Sequence, residues 1–434
     1  MQILKRIGTV LLWLAGLVLI FAAANKNDPY LVVLRGSGNI VLATTSAVVF
    51  LVLIRSGYWS RRGIHGKLLV LLWCLPSIAM LSAHVSFEVR KRNVLQTNAA
   101  QAHDLGQHFV VGYSSFDEVA TLAEKGLIAG IYITRHNVRG RTADMLRAEI
   151  AALQDKRRAA GLPPLSVAAD QEGGIVSHLS PPLTSLPSLS TLANLPPHIR
   201  VPGAHEFGRI HGQELAALGV TINFAPVLDI RPEVKRSRLD FNTLIGYRAI
   251  SSDPATVSEI ARAYVDGLDA SGVGATVKHF PGLGRVHSDT HHFSANLDTP
   301  VEELEASDWR PFRDVLKASK AQLMIGHVTL TAIDPNRAAS HSKAVVDGLI
   351  RKKWNYQGVV ITDDLVMGAI YQHDVCTAVV EALNAGVDLL LVAYDGAQFY
   401  RIFACASDAF NQGKLDPAML HASEARLKHA VRLD

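Results

Sequence analysis

The sequence predicts an α/β protein: a (β/α)8 barrel of the TIM type, preceded by an N-terminal transmembrane helical region. Three observations carry that expectation. Long apolar stretches without charge crowd into the first ninety residues. After Arg92, eight short apolar runs alternate with helical segments. Titratable residues gather at the ends of those runs, where such a barrel places its chemistry.

The apolar stretches explain the composition. The 434 residues are 49% hydrophobic and only 19% charged, with a mean hydropathy of +0.18. That is high for a water-soluble enzyme, and the excess lies before residue 90. Ile7–Ala24 and Gly38–Ile54 carry no charge, and Leu68–Val85 is interrupted only by Pro76. Each approaches the ~17–20 residues that cross a bilayer core as a helix. A cleaved signal peptide, with Lys5 and Arg6 before the apolar run and Ala22–Ala24 after it, accounts for the first stretch but not for the other two. Tyr58 and Trp59 follow the second stretch, where an aromatic belt belongs.

Flanking cations set the orientation. With the N-terminus inside, Lys5, Arg6, Arg55, Arg61, Arg62 and Lys67 lie on the cytoplasmic side; Lys26, Arg35, Arg90, Lys91 and Arg92 lie outside. The short second loop is the most basic, so the rest of the chain is expected outside the cytoplasm. The expected organisation is a membrane anchor of about three transmembrane helices at 1–92, a linker at 93–103 and a catalytic barrel at 104–434.

The net charge of +4 says little about nucleic acid, but no basic stripe with interleaved aromatics appears after residue 100, so nucleic acid is not expected as a partner. Cys376 and Cys405 could pair, but two such residues in a large domain are more often buried thiols, so cysteine usage leaves the compartment open.

The eight runs are Phe109–Tyr113, Leu127–Ile133, Leu165–Ala169, Thr221–Val227, Gly274–Phe280, Gln322–Val328, Gly358–Thr362 and Val387–Ala393. Continuous apolar runs suit strands covered on both faces. Between them, Thr142–Ala159 places Met145, Leu146, Ile150 and Leu153 on one helical face, and Ala255–Ala270 is a second amphipathic segment. A doubly wound open sheet is the competing architecture, but no glycine-rich dinucleotide fingerprint follows the first strand. Asn137 comes shortly after the second run, Asp170 after the third and Asp229 after the fourth. Lys278 and His279 end the fifth, His327 the sixth, and Asp363 follows the seventh.

Four motifs occur in order: Asp170-Gln-Glu-Gly-Gly174, Lys278-His-Phe-Pro-Gly282, Asp289-Thr-His291 and Thr362-Asp-Asp-Leu-Val-Met367. With Asn223-Phe-Ala-Pro-Val-Leu-Asp229, Ile245-Gly-Tyr-Arg248 and Gly326-His-Val328, the set resembles glycoside hydrolase family 3, specifically its single-domain bacterial β-N-acetylglucosaminidases. The resemblance spans roughly residues 104 to 425.

The residues suit that chemistry. Glycoside cleavage with retention needs a carboxylate nucleophile and a proton donor that later acts as base. The resemblance implies Asp363 as nucleophile. A helix N-cap would be the structural alternative for that position, and Asp364 is the better candidate for such a cap. It also implies His291, on a mobile loop, as acid/base, oriented by Asp289 two residues earlier. An imidazole gives up and recaptures a proton near neutrality. The clustered His287, His291 and His292 raise a metal reading, but no strong tetrahedral ligand set accompanies them, and no cofactor is expected. By resemblance, Asp170, Arg248, Lys278 and His279 bind sugar hydroxyls. About forty residues follow the eighth run, so a second domain supplying the acid is not expected and the dyad must lie on the barrel.

Ile175, His178 and Leu283 depart from the family pattern, which places arginines at the first two positions and a histidine at the third. The expected function is therefore an exo-acting retaining β-glycosidase. Its substrate would be a glycoside or oligosaccharide with terminal β-linked N-acetylglucosamine, from peptidoglycan or chitin-type material. The alternatives are a β-glucosidase or glycosyl phosphorylase, or a non-catalytic membrane-tethered glycan-binding protein.

Overall fold

Apolar residues without charge satisfy their backbones internally by coiling, and the N-terminal stretches are helices: α1 (Gln2–Ala24), α2 (Ser37–Arg55), the single turn α3 (Tyr58–Arg61) and α4 (Gly63–Leu95). The computed structural model describes residues 2–28, 31, 37–232, 244–286 and 288–432. Arg35, which entered the charge count, and His287 lie outside the described residues. Three of the helices are long and apolar enough to cross a membrane. Helix α4 runs through Pro76 without ending. Leu53, Leu69, Val70, Leu72 and Trp73 form the core of this unit. Polar groups bind inward: the Trp73 indole N–H donates to the Leu12 carbonyl (3.2 Å) and the Ser46 hydroxyl to the Trp73 carbonyl (2.6 Å). The outer faces are apolar, with Leu14, Val18 and Phe21 of α1 and Leu71, Ile78 and Leu81 of α4 exposed. At one end Arg62 lies over the Tyr58 ring at 4.8 Å and Lys67 over Trp59 at 5.9 Å. The chain divides after Gln96. The segment read as a linker is helical at both ends, since α4 reaches Leu95 and a short helix covers Ala99–Gly106.

From Thr97 onward the eight expected runs are the eight strands of a closed barrel: β1 (Phe109–Gly112), β2 (Gly130–Ile133), β3 (Ser166–Ala169), β4 (Ile222–Asn223), β5 (Gly274–Phe280), β6 (Gln322–Ile325), β7 (Val360–Asp364) and β8 (Leu389–Val392). Neighbours in sequence are neighbours in space, every pairing is parallel, and β8 closes on β1 with Phe109 opposite Leu390. This settles the choice against an open sheet. Alternation sends Val110, Tyr132, Ala168, Phe224, Met324, Ile361, Leu389 and Leu391 into one interior cluster. Their neighbours Val111, Ile131, Val167, Leu323, Val360 and Leu390 are buried on the other face.

Local signals start the surrounding helices. The Thr142 side chain caps α5 (Ala143–Ala159), and Leu146, Ile150 and Leu153 are buried, whereas Met145 is 50% exposed and does not share their face. Pro197–Leu218 forms α6. Asp253 caps α7 (Pro254–Asp269), accepting from Ala255 and Thr256 N–H groups. Helix α8 (Gly368–Ala385) follows the seventh strand and α9 (Phe399–Asn411) the eighth. Two short pairings went unforeseen: a hairpin of Gln171–Gly173 with Val176–Ser177, and a parallel pair of Ala295–Leu297 with Val328–Leu330. The expectation of two separate thiols is overturned. Cys376 of α8 and Cys405 of α9 are neither buried nor free; they form a disulfide, Cα to Cα 5.1 Å, because the two helices pack side by side.

Candidate active site

The C-terminal ends of the strands bring together every residue expected of the site. Asp363, the penultimate residue of β7, is half-buried, and its Oδ1 accepts the Asp364 N–H at 2.8 Å. Burial works against its charge, but His279, His327 and His291 around it outweigh that penalty and hold the carboxyl below its ordinary value. Asp363 is therefore ionised at neutral pH.

Asp364 does not cap α8; that position belongs to Met367, which makes no side-chain cap bond. The Asp364 carboxylate instead accepts N–H groups from Val366 (3.1 Å), Ala393 (2.9 Å) and Tyr394 (2.8 Å), fastening β7 to the loop after β8. The two aspartates have separate surroundings: Asp363 lies among His279, His327 and His291, whereas Asp364 is tied to the loop after β8.

The loop after β5 carries the dyad. His291 Nδ1 stands 2.8 Å from Asp289 Oδ1, which also accepts the His291 backbone N–H at 3.0 Å. Asp289 is buried, whereas the His291 side chain is 37% exposed. With Nδ1–H given to the carboxylate, Nε2 is the ring nitrogen that could exchange a proton with a bound molecule. The loop is held from beneath, as the Gly368 N–H donates to the His291 carbonyl (2.8 Å) and the Ala369 N–H to that of Thr290 (3.3 Å). His327 is buried, bonded to Ser340 Oγ (2.8 Å) and the Asp364 carbonyl (3.0 Å), and burial lowers its pKa.

The opposite wall is an ion-pair network. Lys278, 2% exposed, reaches both Asp170 and Glu172, the latter at 2.7 Å. Arg248 forks onto Glu172, Nε to Oε2 3.0 Å and Nη2 to Oε1 2.6 Å. Burial opposes charge on both carboxylates; Lys278 and His178 for Asp170, and Arg248 and Lys278 for Glu172, reverse it and hold both below the usual range. The Tyr132 hydroxyl also donates to Asp170. His279 Nδ1 binds Asp229 Oδ2 at 2.7 Å, leaving Nε2 to accept from Arg248 Nη2 at 3.3 Å.

The hairpin after β3 sets Asp170 and Glu172 on the same side. It turns through Gly173 (φ 92°) and Gly174 (φ 64°), and a Cβ at Gly173 would lie 2.5 Å from the Pro187 carbonyl oxygen. Asn223 of β4 pins the hairpin, accepting the Gln171 N–H (2.9 Å) and donating to the Gln171 carbonyl (2.8 Å).

The departing positions have distinct fates. Ile175 is 50% exposed at the hairpin tip. His178 lies beside the network, its Nδ1 3.2 Å from the Tyr132 hydroxyl. Leu283 is buried, and its N–H binds Asp229 at 2.6 Å. Asn137 is a capping residue for the turn after β2 and sits outside the network. Glu172 and Tyr132 were not singled out as site residues, although the two-residue period offered a signal for each: Glu172 follows Asp170 by two, and Tyr132 takes the inward place in β2. No cluster able to hold a metal occurs among the described residues.

Residues 101–430 match the family profile described as the glycosyl hydrolase family 3 N-terminal domain. A β-hexosaminidase of Nitrosomonas eutropha is 34% identical over 252 residues, covering 57% of this chain and 70% of the relative. One of Actinobacillus succinogenes is 34% identical over 290 residues, covering 65% and 78%. A family 3 β-N-acetylglucosaminidase structure from Paenibacillus is 30% identical, with a TM-score of 0.69 and coverage of 76% of this chain and 62% of that one. A family 3 glycosyl hydrolase from Mycobacterium smegmatis is 31% identical, with a TM-score of 0.67 and coverage of 78% and 98%.

Proposed function

The chain belongs to glycosyl hydrolase family 3 and is a glycoside hydrolase, and from that premise we propose that it removes terminal β-linked N-acetylglucosamine from oligosaccharides through a covalent glycosyl-enzyme. One observation carries the mechanism: the Asp289–His291 dyad is formed, with His291 Nδ1 2.8 Å from Asp289 Oδ1, and His291 lies near enough to Asp363 to favour its charge. Asp363 Oδ attacks the anomeric carbon while the bond to the leaving oxygen breaks and that oxygen takes the proton from His291 Nε2. Water then gives its proton to the now neutral Nε2 and attacks the same carbon. The carboxylate leaves, and the β configuration is restored. Asp289 keeps the imidazole in the tautomer both steps need. Asp170, Arg248, Lys278 and His279 form the hydroxyl-binding wall, with Asp170 its most open member at 18% side-chain exposure. A slow fluorinated N-acetylglucosaminide traps the intermediate, and mass spectrometry should find the label on Asp363. Label on Asp364 or Glu172 would reject this assignment.

We further propose that the enzyme is a multi-pass membrane protein whose barrel works outside the cytoplasm, near envelope glycans or their fragments. Three helices of spanning length support the anchor. The basic residues Arg55–Lys67 support the orientation. The Cys376–Cys405 disulfide suits an oxidising compartment. Reporter fusions after Asp434 test this: active phosphatase and dark fluorescent protein are expected. A fluorescent fusion with no surface-accessible epitope would place the barrel inside.

A further inference from the structure

Helix α8 is interrupted. Asp374 adopts φ 97°, ψ 83°, a conformation that L residues rarely take, and its carboxylate caps the helical segment beyond it by accepting from the Cys376 N–H (3.1 Å) and the Thr377 hydroxyl (2.6 Å). Residues 368–373 thus form a short turn of their own between strand β7 and the longer helix beyond Asp374. That turn holds the dyad, because its Gly368 and Ala369 N–H groups carry the carbonyls of His291 and Thr290.

Helix α9 holds the turn in place. The Tyr371 hydroxyl donates to Gln398 Oε1 (3.1 Å) and accepts from Arg401 Nη1 (2.8 Å), while the Arg401 guanidinium lies 4.9 Å from the centre of the Tyr371 ring. Beyond the interruption, Cys376 is bonded to Cys405. Gln398, which immediately precedes α9, and Arg401 and Cys405 within it are spaced three and four residues apart, on one side of the helix. Helix α9 is itself seated on the barrel, Phe399 and Phe403 packing on Phe109 of β1 with ring centres 5.6 and 5.4 Å away.

We infer that Tyr371, gripped by Gln398 and Arg401 and secured by the Cys376–Cys405 disulfide, is a positioning residue for the acid/base dyad. It acts through the turn whose N–H groups carry the carbonyls of Thr290 and His291 and so set the height of His291. This rests on His291 being the acid. A small displacement of a catalytic group is costly because proton transfer needs close alignment.

The test uses the full-length, detergent-solubilised enzyme and two N-acetylglucosaminides, one with an alkyl and one with a nitrophenyl leaving group. His291→Ala gives the reference signature: a large loss of kcat on the alkyl glycoside and a small one on the aryl glycoside. Tyr371→Phe, which keeps the ring, and Cys405→Ala, which opens the disulfide, should each reproduce it in weaker form. The alkyl-to-aryl kcat ratio should fall about tenfold with KM little changed. A merely structural role would lower both substrates together, and that result, or an unaltered ratio, overturns the inference. If His291→Ala itself lowers both substrates equally, the dyad assignment fails and this inference falls with it.

Discussion

Arg248 grips Glu172 through two near-parallel hydrogen bonds, 3.0 and 2.6 Å, and the same carboxylate takes the Lys278 ammonium at 2.7 Å. Glu172 is thus the shared counter-ion of two buried cations. Glu172→Gln leaves both under-compensated, and removing one partner of a buried pair costs about 3–5 kcal/mol. The variant should melt several degrees lower and show a raised KM. Thermal unfolding followed by circular dichroism checks the first, steady-state kinetics the second; an unchanged melting temperature would mean the network is solvated.

Asp363→Ala should leave folding intact and reduce turnover by about a thousandfold or more, since it removes the carboxylate proposed to attack the anomeric carbon. The wild-type trapping rate should not decline as pH falls to the ordinary carboxylate value of 3.8, because the surrounding histidines keep Asp363 ionised. A trapping rate that declines well above that pH would contradict the electrostatic account.

Substrate reactivity reads the dyad. His291→Ala should slow alkyl glycosides by about 10²–10⁴-fold, the usual range for general acid–base catalysis, and nitrophenyl glycosides far less. Asp289→Asn should give a milder version. Equal losses on both substrates would count against His291 as the proton donor.

Asp364 makes a stability prediction of opposite sign to Asp170, Glu172 and Asp363. Burial pushes its pKa up from 3.8 to about 6 despite the N–H groups of Ala393, Tyr394 and Val366. The folded chain therefore holds this proton more tightly than the unfolded chain. The contribution to stability is complete below pH 4 and declines as pH rises to about 6. Glu172 and Asp170, held low, contribute stability above the ordinary carboxylate range that fades on acidification. Asp364→Asn should remove the decline between pH 4 and 6 from a denaturation series, at the cost of one N–H acceptor; a series with the decline intact would refute the shift.

In the helical unit, Gly16 lets α1 approach α4, and a Cβ there would lie 2.5 Å from Leu72 Cδ2. Gly16→Leu should force the helices apart and lower the detergent melting temperature without altering kcat. An unchanged melting temperature would show that the contact bears little weight.

Much of this was legible because alternation and strand-end chemistry are local. Eight runs became eight strands, and Asp170, Lys278, His279 and Asp363 stand at strand ends or one residue beyond. What was missed depended on distant partners. Asp364 reads as a helix cap until β8 delivers the Ala393 and Tyr394 N–H groups. The cysteine pair could not be assigned because pairing depends on how α8 and α9 pack. Met145 lies at the margin of a helical stripe whose buried width the neighbouring elements decide. Glu172 was visible by its spacing from Asp170, but its importance comes from Arg248, seventy-six residues later.

The seam between β1 and β8 carries a consequence for biogenesis. Phe109 and Leu390 are neighbours across the closing joint, although almost the whole catalytic chain lies between them. Until the last strand arrives, β1 and β7 present bare edges, which are sites for mispairing. The N–H groups of Ala393 and Tyr394 that clamp Asp364 arrive just after that strand. A chain halted before Leu389 would carry Asp363, Asp289 and His291 without the joint that closes the barrel, and it should hydrolyse no glycoside.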